Sequence, residues 1–127
     1  MTEELKLVIN HRRQKAKDTL ADAKLLLDNG RLRSCVNRIY YAFFYEVIAL
    51  LLTRKLYAAT HAGVRALFNQ HFVKTSLVTG ELGSFYSRMF DIRQKADYED
   101  EENFTKSLVE EWFLKANESI ETLEKLF

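Results

Sequence analysis

Residues 31–52 read RLRSCVNRIYYAFFYEVIALLL, and from Ile39 onward the stretch is apolar on nearly every side, with Glu46 as its only charge. A helix that is apolar all round must be surrounded by protein or lipid. The apolar run is shorter than the ~20 residues that cross a bilayer, and a charge lies in its middle. The stretch therefore predicts the central core helix of a compact helical domain, and we expect no membrane association.

The composition fits one helical domain that covers residues 1–127. Hydrophobic residues make up 47% of the chain, which is too many for a disordered sequence. Proline is absent and only four glycines occur, so few residues break helices or form turns. No run alternates between apolar and polar residues as strands do, so the expected fold class is all-α.

Apolar residues recur at helical spacing in five segments. Because the connections between them are short, we predict an antiparallel up-and-down bundle of four long helices plus one short helix. In the first helix the expected core stripe consists of Leu5, Val8, Ile9, Ala16, Leu20, Ala23 and Leu27. The helices are predicted over residues 2–29, 31–52, 61–71 and 80–96, and from a cap at Asn103 or Thr105 to the carboxyl end.

The charges and the missing motifs limit the classes of function. Lys and Arg number 19 and Asp and Glu 18, so only a local patch could attract a nucleic acid. The single cysteine, Cys35, excludes an internal disulfide, and the amino terminus lacks an apolar signal core; both features predict a cytoplasmic protein. There is no Gly-rich phosphate loop, zinc-type spacing or Glu-x-x-His pair, so no cofactor or metal is expected.

A polar and phenolic stripe runs along the second predicted helix. Asn37, Tyr41 and Tyr45 lie four residues apart, so they share one face. Their polar groups either satisfy one another in the core or line a cleft or a subunit interface. His61, at the start of the short helix, is a candidate for the same cleft or a structural residue.

A second candidate group lies where the fourth predicted helix ends. Arg93 and Asp97 are one turn apart and can form an ion pair, and Tyr98 follows at once. The acids at positions 99–102 then predict a solvated loop, which could also contact a basic partner.

Three segments together resemble the HEPN superfamily: NRIYYAFFYEVIALL, THAGV with FVKT downstream, and MFDIRQKADYED. More narrowly, the chain is similar to the small stand-alone prokaryotic HEPN proteins of the UPF0332 type. The resemblance covers nearly the whole chain, and the three motifs in this order are fairly specific. It implies a helical bundle that commonly forms homodimers. Many members are encoded beside a minimal nucleotidyltransferase as toxin–antitoxin pairs.

The resemblance also implies a candidate chemistry. Active members resemble metal-independent ribonucleases with an Arg, four to six residues, then a His. The Arg holds the scissile phosphate and the His moves a proton. Arg93 matches the motif Arg, but Tyr98 occupies the His position. A Tyr, with a pKa near ~10, is a poor base at neutral pH.

Three hypotheses follow. The first is a non-catalytic HEPN module that binds RNA, a nucleotide or a nucleotidyltransferase partner. Its expected binding residues are Arg93, Asn37, Tyr41, Tyr45 and His61. The second is a metal-independent endoribonuclease that uses Arg93 for phosphate and Asp97 or Tyr98 for protons. The third is a purely structural bundle.

Overall fold

The computed structural model describes residues 1–98 and 104–127, and the side chains of residues 1–95 and 104–127. The described chain is all-α and contains no strand. Its helices are α1 (Glu3–Asp28), α2 (Leu32–Leu52), α3 (His61–Phe68), α4 (Gly80–Tyr98) and α5 (Lys106–Glu124). These elements confirm the predicted bundle of four long helices and one short one.

Threonine side chains begin four of the five helices. The hydroxyl oxygens of Thr2, Thr60, Thr79 and Thr105 each accept a hydrogen bond of 3.0–3.2 Å from the backbone N–H three residues later. Each bond satisfies an N–H that the helix itself cannot pair, and such a cap typically contributes about 1 kcal/mol. At the other end of α1, Gly30 adopts a φ of +70°, which reverses the chain into α2.

The second helix is the centre of the bundle. It packs against α1, α3, α4 and α5, and eleven of its residues are buried. By length and composition alone the 21 residues of α2 meet the requirement for a membrane span, which corrects the expectation that the apolar run is too short to cross a bilayer. However, 67% of the 18-residue apolar segment of α2 is buried inside the fold, as in a core helix.

The third helix ends differently from the prediction. It is followed by one π-helical turn, Asn69–Val73. Val73 packs so closely on α4 that a Cβ atom on Gly83 would lie 2.7 Å from Val73 Cγ2. The predicted single helix over 61–71 is therefore an α-helix plus a wider turn, and the last residue of that turn packs against α4.

The amino-terminal part of the α1 stripe was also predicted incorrectly. Val8 is 44% exposed and Leu5 is half-buried. At this end α1 lies beside the loop after α2, where Val8, Leu56 and Tyr57 line a surface cavity of about 210 Å³. The remaining stripe residues, from Ile9 to Leu27, are buried as expected.

Candidate functional site

The guanidinium of Arg93 lies on the aromatic face of α2. Its Cζ atom is 5.0 Å from the centre of the Tyr40 ring and 5.9 Å from that of Tyr41. Arg93 is half-buried, whereas Tyr40 is fully buried. A cation at such distances from a ring is attracted by its π-electrons. The packing of α4 against α2 thus holds the Arg93 side chain close to Tyr41.

A second guanidinium lies over the same ring. The Cζ atom of Arg38 is 5.3 Å from the centre of Tyr41. Arg38 donates hydrogen bonds from Nε and Nη2 to Oδ1 of Asn37, at 3.1 and 2.7 Å. These two bonds fix the plane of the guanidinium, so Asn37 contributes by orienting Arg38.

The third cation on this face comes from α1. The Nζ atom of Lys15 lies 4.6 Å from the centre of the Tyr45 ring, and the Tyr45 ring lies 5.9 Å from that of Tyr41. We call the set formed by Lys15, Arg38, Tyr41, Tyr45 and Arg93 the cation–aromatic surface. It concentrates positive charge locally in a chain whose net charge is only +1.

His61 borders this surface from the start of α3. Its Nδ1 atom shares a hydrogen bond of 2.8 Å with the Tyr40 hydroxyl. Its ring stacks on Phe44 with centres 4.3 Å apart and meets Tyr41 edge-on. Burial, and then the positive charge of Arg93, lower the pKa of His61. The imidazole is therefore neutral at neutral pH. Its position is fixed by the hydrogen bond to Tyr40 and by the stacked rings of Phe44 and Tyr40.

The Tyr40 hydroxyl stays protonated at the same pH. Burial raises the pKa of Tyr40 to about 12, and the positive charge of Arg93 opposes that rise. A protonated phenol can either donate to His61 Nδ1 or accept from it. Tyr40 thus orients the imidazole in the way that a third group orients a catalytic base.

The structure brings together five residues that the sequence nominated: Asn37, Tyr41, Tyr45, His61 and Arg93. The side chains of Asp97 and Tyr98, and the acidic block at 99–102, lie outside the described residues. Within the described part of the chain, no group of three His, Cys, Asp or Glu residues could hold a metal ion.

Four further residues of the site were not predicted from the sequence: Lys15, Arg38, Tyr40 and Phe44. Glu46, the one charge in the apolar run of α2, is not part of this site, because it is buried near Arg13, Lys17 and Glu124. Tyr40 and Phe44 lie beside Tyr41 and Tyr45 in the sequence and could have been nominated as the inner half of the same aromatic stripe. Lys15 comes from another helix, and no signal in the sequence links it to Tyr45.

Comparison with known proteins gives a consistent set of relatives. The family model described as the HEPN domain matches residues 9–126. The chain is 50% identical over 119 residues to a UPF0332 protein of Thermotoga maritima, covering 94% of this chain and 90% of the relative.

Two proteins of Methanocaldococcus jannaschii bear toxin names. "Putative toxin MJ0605" is 39% identical over 83 residues, 65% of this chain and 62% of that protein. "Putative toxin MJ0142" is 36% identical over 86 residues, 68% of this chain and 58% of that protein. The alignments therefore span less than two thirds of each toxin-named relative.

Proposed function

The chain belongs to the HEPN domain family, and from that premise we propose that it is a toxin-type module that binds RNA on the cation–aromatic surface. One observation carries the proposal: the guanidinium groups of Arg38 and Arg93 both lie over the half-buried ring of Tyr41. Guanidinium groups recognise phosphate, and their planes can stack on unpaired bases. Two relatives that are named as toxins fit a function of this class.

Each residue has a distinct role in this proposal. Arg38 and Arg93 hold consecutive phosphates or stack their guanidinium planes on bases. The rings of Tyr41 and Tyr45 hold the cations in place. Asn37 keeps the Arg38 guanidinium in one plane. Free nucleotides carry the same phosphate and base chemistry, so they are expected to compete with RNA at this surface.

Binding is tested by fluorescence anisotropy with a short labelled single-stranded RNA. Arg93→Ala and Arg38→Ala are each expected to weaken binding about tenfold, because each removes a phosphate contact. Arg88→Ala is the matched control, since Arg88 is an exposed arginine on the same helix outside the cation–aromatic surface. Equal loss in Arg88→Ala and Arg93→Ala, or no binding by the wild type, would contradict the proposal and favour a structural bundle.

A second candidate function is a metal-independent endoribonuclease, and His61 is the observation that favours it. The sequence motif lacks a His after Arg93, yet His61 reaches the same rings from α3 and hydrogen-bonds to Tyr40. With Nδ1–H donating to Tyr40, the Nε2 lone pair could accept a proton from a 2′-hydroxyl. Asp97 and Tyr98 remain alternative proton carriers.

Catalysis is tested by incubating RNA with the protein in the presence of a metal chelator. Cleavage by the wild type that is lost in His61→Ala, with RNA binding retained, would support the ribonuclease. Cleavage that survives in His61→Ala but not in Tyr98→Phe would assign the proton transfer to Tyr98. If the wild type binds RNA but does not cleave it, the result would support the non-catalytic RNA-binding module.

A minimal nucleotidyltransferase is the protein partner that we propose for this module, on the basis of the family resemblance. Co-expression with a nucleotidyltransferase encoded beside it tests this point. Co-purification that Arg93→Ala abolishes, and Arg88→Ala does not, would mean that the partner and RNA share one surface.

A further inference from the structure

The surface cavity of about 210 Å³ opens between α1, the end of α2, the loop that follows α2 and the short helix α3. Leu51 and Val64 form its most deeply buried part, and its walls include Ile48 and Leu52. Of the nine described residues that line it, seven are aliphatic and none carries a carboxylate. The cavity therefore suits a ligand with an apolar body, because it offers few hydrogen-bond partners to a sugar or a base.

Among the described residues that line the cavity, Arg12 alone carries a charge. Arg12 is half-buried, and its guanidinium makes no hydrogen bond or ion pair with any other residue in the described part of the chain. The next residue, Arg13, instead donates to Glu124 of α5 from Nε at 2.9 Å. The charge of Arg12 is thus available on the wall of an apolar cavity, where its attraction for an anion is stronger than in bulk water.

Two exposed lining residues, Val8 and Tyr57, mark the mouth of the cavity. Val8 is 44% exposed and Tyr57 is 79% exposed. Val8 precedes Arg12 by one helical turn, so the guanidinium lies on the same side of α1 as the mouth. A ligand that points its charged end towards the mouth would reach Arg12 and keep its apolar end inside.

The volume of the cavity limits the size of the ligand. An apolar cavity of about 150 Å³ holds benzene, with its six carbon atoms, so about 210 Å³ has room for about eight. The chemistry of Arg12 selects the charged group, since a guanidinium binds a carboxylate through two parallel hydrogen bonds. A phosphate monoester fits less well, because it carries nearly two negative charges and a single cation would leave one of them beside apolar side chains.

We propose that this cavity binds a small monocarboxylate with an apolar body of about seven or eight carbon atoms, as in a medium-chain fatty acid. The carboxylate pairs with the guanidinium of Arg12. The carbon chain lies against Ile48, Leu52 and Val64. The proposal does not depend on the RNA-binding function, because no residue that lines the cavity belongs to the cation–aromatic surface.

An NMR titration of the methyl signals with octanoate tests the site. The signals of Ile48 and Val64 are expected to shift, with a dissociation constant of about 0.1–1 mM. Hexanoate, which is shorter by two methylene groups, should bind about tenfold more weakly. Octan-1-ol has the same chain without the charge and should also bind about tenfold more weakly. A wild type that does not bind octanoate, or that binds octan-1-ol equally well, would overturn the proposal.

The role of the guanidinium is tested by substitution. Arg12→Gln should weaken octanoate binding about tenfold and leave the binding of octan-1-ol unchanged. Arg12→Lys keeps the charge and should retain part of the affinity for octanoate. Arg88→Gln is the control, because Arg88 is exposed on α4 and does not line the cavity. Equal affinities in Arg12→Gln and Arg88→Gln would show that Arg12 does not bind the carboxylate and would overturn the proposal.

A carboxylate placed at the mouth should block the site. Val8→Glu sets an acid one helical turn before Arg12, where it can pair with the guanidinium and repel the ligand. Leu7→Glu is the matched control, because Leu7 is 69% exposed on α1 and does not line the cavity. Thermal melts check that both variants fold. Loss of octanoate binding in Leu7→Glu, or its retention in Val8→Glu, would overturn the proposal.

A short peptide that ends in leucine presents the same carboxylate from a different source, and it is titrated in parallel. Octanoate is expected to bind more tightly than the peptide, because its unbranched chain fills more of the cavity and brings no polar amide groups into it. Tighter binding of the peptide would assign the cavity to a protein partner and overturn the proposal.

Discussion

At the scale of single residues, Glu46 is a carboxyl group buried between three helices. It is fully inaccessible, and neither of its oxygens has a hydrogen-bond partner among the described residues. Arg13 and Lys17 of α1 and Glu124 of α5 face it. Burial, and then the negative charge of Glu124, raise the pKa of Glu46 to about 8. Glu46 is therefore mostly protonated at neutral pH.

This shift makes stability depend on pH. The unfolded chain ionises Glu46 near its ordinary pKa of 4.5, whereas the folded chain holds the proton until about pH 8. The contribution of Glu46 to the free energy of unfolding is therefore full below pH 4.5 and is lost as the pH rises to about 8. Glu46→Gln removes this dependence and should add about 1–2 kcal/mol at alkaline pH. Urea melts from about pH 5 to about pH 9 measure it.

The control for this substitution is Glu118→Gln, an exposed glutamate of α5. It should leave both the stability and its pH dependence unchanged. Parallel stability curves for the wild type and Glu46→Gln would mean that the buried carboxyl is not neutral in the folded protein.

His61 gives a second prediction at this scale. Because Arg93 contributes to its lowered pKa, Arg93→Gln should raise the pKa of His61. The rise should be partial, because burial, the larger cause, remains. An NMR titration of the imidazole C–H signals measures it, with Arg88→Gln as the control. A pKa of His61 that is the same in both variants would show that the Arg93 charge does not act on the imidazole.

At the scale of the elements, the sequence predicted what is determined locally. Apolar spacing located the helices to within a few residues, because this signal lies within the helix itself. The cap that was expected at Asn103 or Thr105 is formed by Thr105. The π-helical turn after α3 was not predicted, and its Val73 packs against Gly83 of α4, a contact between separate elements that spacing within one helix does not reveal. At the candidate site, too, the features set within one helix were predicted and those set by packing between helices were not. The spacing of Asn37, Tyr41 and Tyr45 places them on one face, whereas only packing brings His61 and Arg93 to that face.

The contact between Val73 and α4 gives the prediction for this scale. Gly83→Ala would set a Cβ atom 2.7 Å from Val73 Cγ2, so the π-helical turn or α4 must shift. A loss of about 1–3 kcal/mol in the free energy of unfolding is expected. The matched control is Gly80→Ala, where a Cβ atom has no neighbour within 4 Å. That variant should be neutral or slightly more stable. Chemical denaturation of both variants measures the difference.

Shortening Val73 tests whether its contact with residue 83 causes the loss of stability. In the double variant Gly83→Ala with Val73→Ala, both branches of the valine are gone, so part of the lost stability should return. A double variant that loses the sum of the two single effects would show that Gly83 is needed for another reason.

At the scale of the whole molecule, α2 separates two surfaces with different chemistry. One side carries the cation–aromatic surface, where cations lie over rings. The other side faces α1 and α5, and the groove between these helices has Lys17 and Lys24 on one wall and Glu121 and Glu124 on the other. The net charge of +1 does not reveal either feature, because it sums the cations over the rings with the opposite charges that face each other across the groove. Composition could not reveal this arrangement, since it depends on which helices become neighbours.

The positive charge of the cation–aromatic surface predicts a salt dependence for RNA binding. With two or three cations engaged, the logarithm of the RNA affinity should fall with the logarithm of salt at a slope of about −2, and Arg93→Ala should reduce that slope by about 0.7. Fluorescence anisotropy at several salt concentrations measures both slopes, with Arg88→Ala as the control. A slope that is the same in Arg93→Ala and in the wild type would mean that Arg93 contacts no phosphate of the bound RNA.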